Sequence, residues 1–218
     1  MSTPEPEVAD LFGEPAVNAD TDTRLRDRLL AGAERDGLLD VAYRTLDSPV
    51  GHLLLAATER GLLRVAFAGQ DHDAVLRALA EQVSPRVLRA PHRLVDVSRQ
   101  LDDYFARRRT TFDVPLDLRL AAGFRRQVLD HLPEISYGRT ASYGQVAAAA
   151  GNPKAVRATG TACARNPLPI VVPCHRVVRS DGSSGSYAGG SEAKRALLTL
   201  EASGTAPATD FAGPTPGV

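Results

Sequence analysis

The stretch Asn166-Pro-Leu-Pro-Ile-Val-Val-Pro-Cys-His175 sets a thiol beside an imidazole. A cysteine next to a base has the makings of a nucleophile, because the thiolate and not the thiol attacks. A free cysteine of ordinary pKa, about 8.5, is mostly protonated at neutral pH, so the base is needed. Pro173 restrains the backbone just before Cys174. The apolar run Ile170-Val171-Val172 predicts a short buried strand or extended segment between two prolines. By residue type alone Cys174 also reads as a small buried hydrophobe, the usual place of an unpaired cysteine. A cysteine hydrolase is a further class, but its oxyanion donors and distant histidine are not recognisable here.

Composition narrows the setting. The two cysteines, Cys163 and Cys174, have no metal-ligand spacing, which fits a reducing compartment and predicts neither a disulfide framework nor a structural zinc. No metal and no cofactor is expected. There is no long apolar run and no basic segment leading into an apolar one, so neither a membrane span nor a signal peptide is predicted. A cytoplasmic protein without a membrane partner is the expectation. Net charge is zero, yet residues 119–201 carry eleven Lys and Arg against five Asp and Glu, a balance of +6. That asymmetry suggests a phosphate-facing C-terminal portion, although a merely solvated basic face has the same composition.

The elements that must position the thiol follow from periodicity. Residues 1–38 predict a flexible extension, within which 23–34 form a short helix with Leu25, Leu29, Leu30 and Ala33 on one face. Strands are predicted over 40–46, 52–58 and 62–67, the last two joined as a hairpin through Glu59-Arg60-Gly61. Helices are predicted over 75–83 and 95–108, the second with Leu94, Val97, Leu101 and Phe105 in register. The Arg107-Arg108-Arg109 run reads as a solvated helix end that suits the macrodipole.

Further on, 120–132 predict a helix with Phe124, Val128 and Leu132 on one stripe, ended by Pro133. Tyr137-Gly138 is a turn, and Ser142 with Gln145 three residues later is a capping box. Gly151 stops that helix, and Asn152-Pro153 predict the next one as N-cap and N1. Helix, tight turn, helix is the helix-turn-helix plan, though a packed helical hairpin shares the pattern. The second helix is built of small residues, Ala155, Ala158, Thr159, Gly160, Thr161 and Ala162. Such a surface favours close approach in a narrow minor groove over base reading in a wide major one. Val177-Val178 reads as extended, Arg179 to Ser186 as a loop, 192–201 as a final helix and 202–218 as a disordered tail.

Pro-Cys-His-Arg-Val-Val, with Asn-Pro-Leu-Pro before it and Gly-Ser-Tyr-Ala-Gly-Gly after it, resembles the O6-alkylguanine-DNA alkyltransferases. These self-sacrificing repair proteins are also called methylated-DNA–protein-cysteine methyltransferases. The resemblance spans roughly residues 40–201 and is densest from Tyr137 onward. It implies an α/β (α+β) fold: a ribonuclease-H-like N-terminal domain over 39–118, without nuclease function, then a mainly helical domain over 119–201. The latter carries a helix-turn-helix of winged-helix-like form.

The implied partner is double-stranded DNA containing O6-alkylguanine, met by a monomer. The implied reaction moves a methyl or alkyl group from O6-methylguanine, and from O4-methylthymine, to Cys174 after base flipping. His175 would deprotonate the thiol through a water, Glu201 would hold His175 in its tautomer, and Asn166 would be the hinge asparagine. Tyr143 would assist flipping and donate to the base, though a tyrosine at a helix start is also ordinary. Arg157 matches the arginine finger that enters the stack, and Ala155, Ala158, Gly160, Thr161 and Ser142 would face DNA. Pro169, Val177, Tyr187, Ala188 and Gly189 would line the base pocket, with carbonyl oxygens near Cys174 and Val177 accepting from the exocyclic amine. Where some members have serine this chain has Ala188, so only its backbone N–H is offered. The alternative is an alkyltransferase-like lesion-binding protein without transfer, a class in which the nucleophile is replaced, whereas Cys174 is present here.

Overall fold

The computed structural model describes residues 19–203; residues 1–18 of the predicted flexible start and 204–218 of the predicted tail lie outside them. The chain divides into two units, residues 1–38 and 39–218. In the first, helix α1 runs from Ala19 to Arg35, longer than the predicted 23–34. Gly37, just beyond its end, takes a φ of 65° that suits a residue without a Cβ.

The second unit opens with strands β1 (Val41–Leu46), β2 (Leu53–Thr58) and β3 (Gly61–Phe67). β2 and β3 pair antiparallel as the hairpin signal predicts, β1 pairs antiparallel with β2, and a short β4 (Val87–Arg89) joins parallel to β1. The order is β3-β2-β1-β4. The sequence pattern does not announce β4, which is only three residues long. Leu53, Leu54, Leu55 and Ala56 are all buried, so both faces of the central strand are covered. Helix α2 (His72–Gln82) lies on one side, with Leu79 packed against Val41, Ala56 and Leu63. Helix α3 (Val95–Phe105) follows a 3-10 turn and buries Val97, Leu101 and Tyr104. Arg107 then adopts φ 58°, and Arg108 folds back on Asp103 at 2.8 Å.

Edge strand β3 carries the parts that lead to the site. Leu62 donates to the Pro115 carbonyl at 2.8 Å, and Val65 donates to the Pro167 carbonyl at 2.8 Å. A Cβ on Gly61 would stand 2.2 Å from the Pro115 oxygen, so only glycine admits this crossing. The edge is thereby covered by the linker and by the segment beginning at Asn166.

Beyond the linker, the predicted 120–132 helix divides. Residues Leu118–Leu120 form a 3-10 turn, Gly123 at φ 56° breaks the chain direction, and α4 runs from Phe124 to His131. Strand β5 (Ala141–Ser142) leads into α5 (Tyr143–Ala149), with the Ser142–Gln145 capping box formed in both directions. Helix α6 runs from Val156 to Ala164, not from Pro153. Residues 152–155 instead close a turn, the Ala155 amide donating to the Asn152 carbonyl at 2.9 Å, so Asn152 caps nothing. β6 (Val177–Val178) pairs parallel with β5, and α7 (Gly190–Ala202) closes the described chain. Among the described residues no helix is long and apolar enough to cross a membrane.

Candidate active site

Ile170-Val171-Val172 is a buried turn and not the predicted strand. Ile170 takes φ 75°, a conformation costly for a β-branched residue, which persists because the surroundings determine it. Asn166 is the main determinant. Its Nδ2 donates to the Val172 carbonyl at 2.8 Å and to Cys174 Sγ at 3.1 Å, while its Oδ1 accepts from the Leu168 amide at 2.9 Å. One side chain therefore shapes the turn and touches the thiol at its exit. Cys174 to Arg176 form a single 3-10 turn that runs straight into β6. Because β6 pairs parallel with β5, Cys174 leads into the small sheet at one end, whereas Tyr143 leaves β5 at the other to start α5.

Behind the thiol lies a buried polar network. His175 is fully buried, and its Nε2 donates to Glu201 Oε1 at 2.9 Å. With Nε2 so engaged, Nδ1 is the nitrogen with a lone pair to accept a proton, and it is buried without a hydrogen-bond partner. Glu201 also accepts from Arg176 Nε and Nη2, each at 2.9 Å, from the Tyr104 hydroxyl at 2.7 Å and from the Gly138 amide at 3.1 Å. The third guanidinium nitrogen of Arg176 donates to the Ile135 carbonyl at 2.6 Å.

Burial opposes ionisation of Glu201, but the His175 and Arg176 hydrogen bonds outweigh it and hold the carboxyl at about 2. Burial also lowers the basicity of His175 against the opposing pull of Glu201, so the imidazole is neutral at rest. The Cys174 thiol is pushed up to about 11 by burial, with the Asn166 contact and the Lys194 ammonium working against the rise. At rest the site thus holds a thiol and a neutral base. The proton moves only when something draws it.

Lys194 of α7 is fully buried and donates to the Val177 carbonyl at 2.6 Å. Its ammonium stands 5.9 Å from the Tyr143 ring centroid. One acceptor position of the carbonyl assigned to base recognition is therefore already taken. Tyr143 packs between α6 and the 179–189 loop: a Cβ on Gly185 would lie 2.1 Å from its hydroxyl. Burial, reinforced by the two thiols, pushes the Tyr143 phenol up to about 12, which keeps its O–H available as a donor. Tyr187 is buried with its ring 6.3 Å from His175, and Gly189 lies against the Phe67 ring, which a Cβ would meet at 2.7 Å. Pro169 and Val177 are buried and Ala188 half-buried beside them. Of the predicted pocket residues, Tyr187 is thus set against His175 and Gly189 against Phe67. The loop glycines accommodate the protein's own side chains, Tyr143 and Phe67.

On α6, Arg157, Ala158 and Thr161 are exposed on one face. Thr159 and Ala162 are buried, so they belong to the packing and not to the small-residue surface. Gly160 faces the Tyr143 ring, Ala155 is the N-cap residue, and Ser142 spends its hydroxyl on the capping box. A groove of about 460 Å³ beside this face is lined by Phe124, Arg125, Ala158, Thr161 and Arg165.

Residues 41–118 match the model of the 6-O-methylguanine DNA methyltransferase ribonuclease-like domain, and 123–203 that of the DNA binding domain of the same family. The methylated-DNA–protein-cysteine methyltransferase of Mycolicibacterium paratuberculosis is 40% identical over 161 residues, 74% of this chain and 92% of its own length. The chain belongs to the 6-O-methylguanine DNA methyltransferase family. The crystal structure of the Mycobacterium tuberculosis O6-methylguanine methyltransferase superposes with a TM-score of 0.67 at 41% identity, covering 78% of this chain and 96% of that one. The M. tuberculosis OGT in complex with DNA gives 0.64 at 39% identity, covering 74% and 93%. For a methyltransferase of this kind, the motif singles out Cys174, His175, Asn166 and Glu201. It assigns no role to Arg176 of the same turn or to Tyr104 and Gly138 from other elements, which all donate to Glu201, nor to Lys194, which donates to the Val177 carbonyl.

Proposed function

We propose that this chain repairs alkylated duplex DNA by direct reversal, moving the alkyl group of O6-alkylguanine irreversibly to Sγ of Cys174. The observation that carries the reading is the buried Glu201–His175 pair, with His175 on the same turn as a thiol that Asn166 already holds. All of these residues come from one chain, so a monomer suffices. Both cysteines are free thiols, the state that a reducing cytoplasm maintains.

The chemistry follows from the placement. His175 Nδ1 takes the thiol proton through a bridging water, and Glu201 stabilises the imidazolium that forms. The thiolate attacks the alkyl carbon, the C–S bond forms, and the C–O6 bond breaks with its electron pair left on guanine. Tyr143 O–H meets the guanine anion, and the proton released by the thiol is restored to the base. The thioether has no leaving group that water displaces, so each chain reacts once. Because O6 lies inside a duplex, the nucleotide must first rotate out, at roughly a few kcal/mol. The role of filling the vacated stack falls to the planar guanidinium of Arg157, a reading supported by its exposure near the start of α6. The lesion-binding alternative, in which the nucleophile is replaced, is not favoured by a chain that keeps Cys174.

Incubation with duplex DNA carrying one O6-methylguanine, followed by intact-protein and peptide mass measurement, tests the reading. One methyl increment per chain on Cys174 is expected, and Cys174→Ala should bind DNA without reacting. Repeated turnover, or transfer to Cys163, would overturn it.

A further inference from the structure

Tyr104 lies on α3, in the ribonuclease-like part of the chain, 97 residues from the carboxylate it touches. Its side chain is fully buried and its hydroxyl donates to Glu201 Oε1 at 2.7 Å, the same oxygen that accepts from His175. We propose that Tyr104 is a positioning residue for the alkyl-transfer reaction, fixing the direction and charge of Glu201 and through it the basicity of His175. The inference rests on the reaction proposed above for its catalytic meaning, though not for its geometry.

Three observations support the assignment. First, the ring is held from several sides, with Phe112 at 5.3 Å, Phe105 at 5.4 Å and Tyr137 at 6.0 Å between centroids, so the hydroxyl is aimed by packing. Second, burial and the adjacent Glu201 charge raise the phenol far above its ordinary range, so the group donates and does not ionise. Third, Oε1 is shared. A donor that draws on Oε1 weakens its pull on the His175 Nε2–H bond and keeps the imidazole from being too readily protonated at rest. The other groups facing this centre are Arg176 and Cys174 on the same turn, Lys194 on α7, Tyr187 on the 179–189 loop and Tyr137 before β5. All of them remain when only the Tyr104 hydroxyl is removed.

Tyr104→Phe keeps the ring and deletes the donor. With one donor fewer, Oε1 pulls harder on Nε2–H, so His175 becomes more basic. The nuclear magnetic resonance of the ring Nε2–H proton should move downfield. The acid limb of the single-turnover rate against pH should shift up by roughly half a unit or more. Below the midpoint the rate should therefore fall about threefold. Tyr137→Phe is the matched control, since that hydroxyl lies in the field of Glu201 but donates to the Leu200 carbonyl, at 3.4 Å. An Nε2–H resonance and acid limb unmoved in Tyr104→Phe, with only the melting temperature lowered, would make Tyr104 a core aromatic and nothing more. Equal shifts in both variants would also overturn the inference. The resonance is read without DNA, so failure of alkyl transfer in the wild type would count against the proposed reaction and leave the Tyr104 assignment to its own signal.

Discussion

His175 donates to an ionised carboxylate, an arrangement that by itself favours the imidazolium, yet full burial lowers its basicity below the ordinary histidine value. The folded protein therefore resists a proton that the unfolded chain accepts below about pH 6.5. As pH falls through that value, the unfolded state binds the extra proton and folding stability must drop, by up to about 1.4 kcal/mol per pH unit for one such group. Glu201, depressed to about 2, adds its own loss only in stronger acid, between the unfolded carboxylate range and that value. Urea unfolding at pH 7.5, 6.5 and 5.5 should show the first slope in the wild type and lose most of it in His175→Gln. An identical slope in both proteins would mean that His175 is not held neutral. At this scale the sequence was legible where a residue's role is written beside it: Cys174, His175 and Asn166 lie within ten positions. Arg176 sits in the same motif, but its function depends on Glu201 and Ile135, 25 and 41 residues away. Tyr104 and Lys194 carried no local signal, because a buried tyrosine and a helix lysine look like ordinary core and surface residues until their partners are placed.

Strands β1 to β3 and helices α2, α3, α5 and α7 could be read from apolar runs, periodicity and caps, which need no knowledge of distant partners. The misjudged elements are those where local rules compete with packing. Asn152-Pro153 satisfies the rule for a helix start, but those residues close a turn and α6 begins at Val156. Ile-Val-Val has strand propensity, yet the three hydrogen bonds of Asn166 bend it into a turn. The later start places Arg157 in the first turn of α6, exposed together with Ala158 and Thr161. An arginine there reaches outward, whereas the chemistry lies on the turn of Cys174. Arg157→Ala should therefore slow repair of O6-methylguanine in a duplex by on the order of tenfold or more, if the guanidinium offsets a few kcal/mol of base extrusion. Reaction with free O6-benzylguanine, which needs no extrusion, should be nearly unchanged. Single-turnover rates at saturating protein decide the matter, because a lost phosphate contact is overcome by concentration and a lost wedge is not. A wild-type rate under saturation would refute the role given to Arg157.

Zero net charge describes the whole molecule poorly, because the charge is divided along the chain and then again between surface and core. Of the eleven positive and five negative side chains in 119–201, Arg176, Lys194 and Glu201 are buried in the relay and its surroundings. Nine positive and four negative side chains remain outside the core, so burial removes little of the surface excess. The sequence count carried the sign of this excess but not which charges were spent inside. A protein held to DNA by such a face releases condensed counterions, and each neutralised phosphate contributes about −0.9 to the slope of log affinity against log salt. With roughly three to five phosphates engaged, the slope should lie near about −3 to −5. Affinity should change little between unrelated sequences, since the outer face of α6 offers small residues and one arginine. Cys174→Ala, titrated on undamaged duplex by anisotropy over a range of salt, measures both properties without reaction. A slope near zero, or strong preference for one undamaged sequence, would show that phosphates do not dominate the interface. A slope unchanged when Arg165 and Lys154 are neutralised together would show that the basic face lies elsewhere on the molecule.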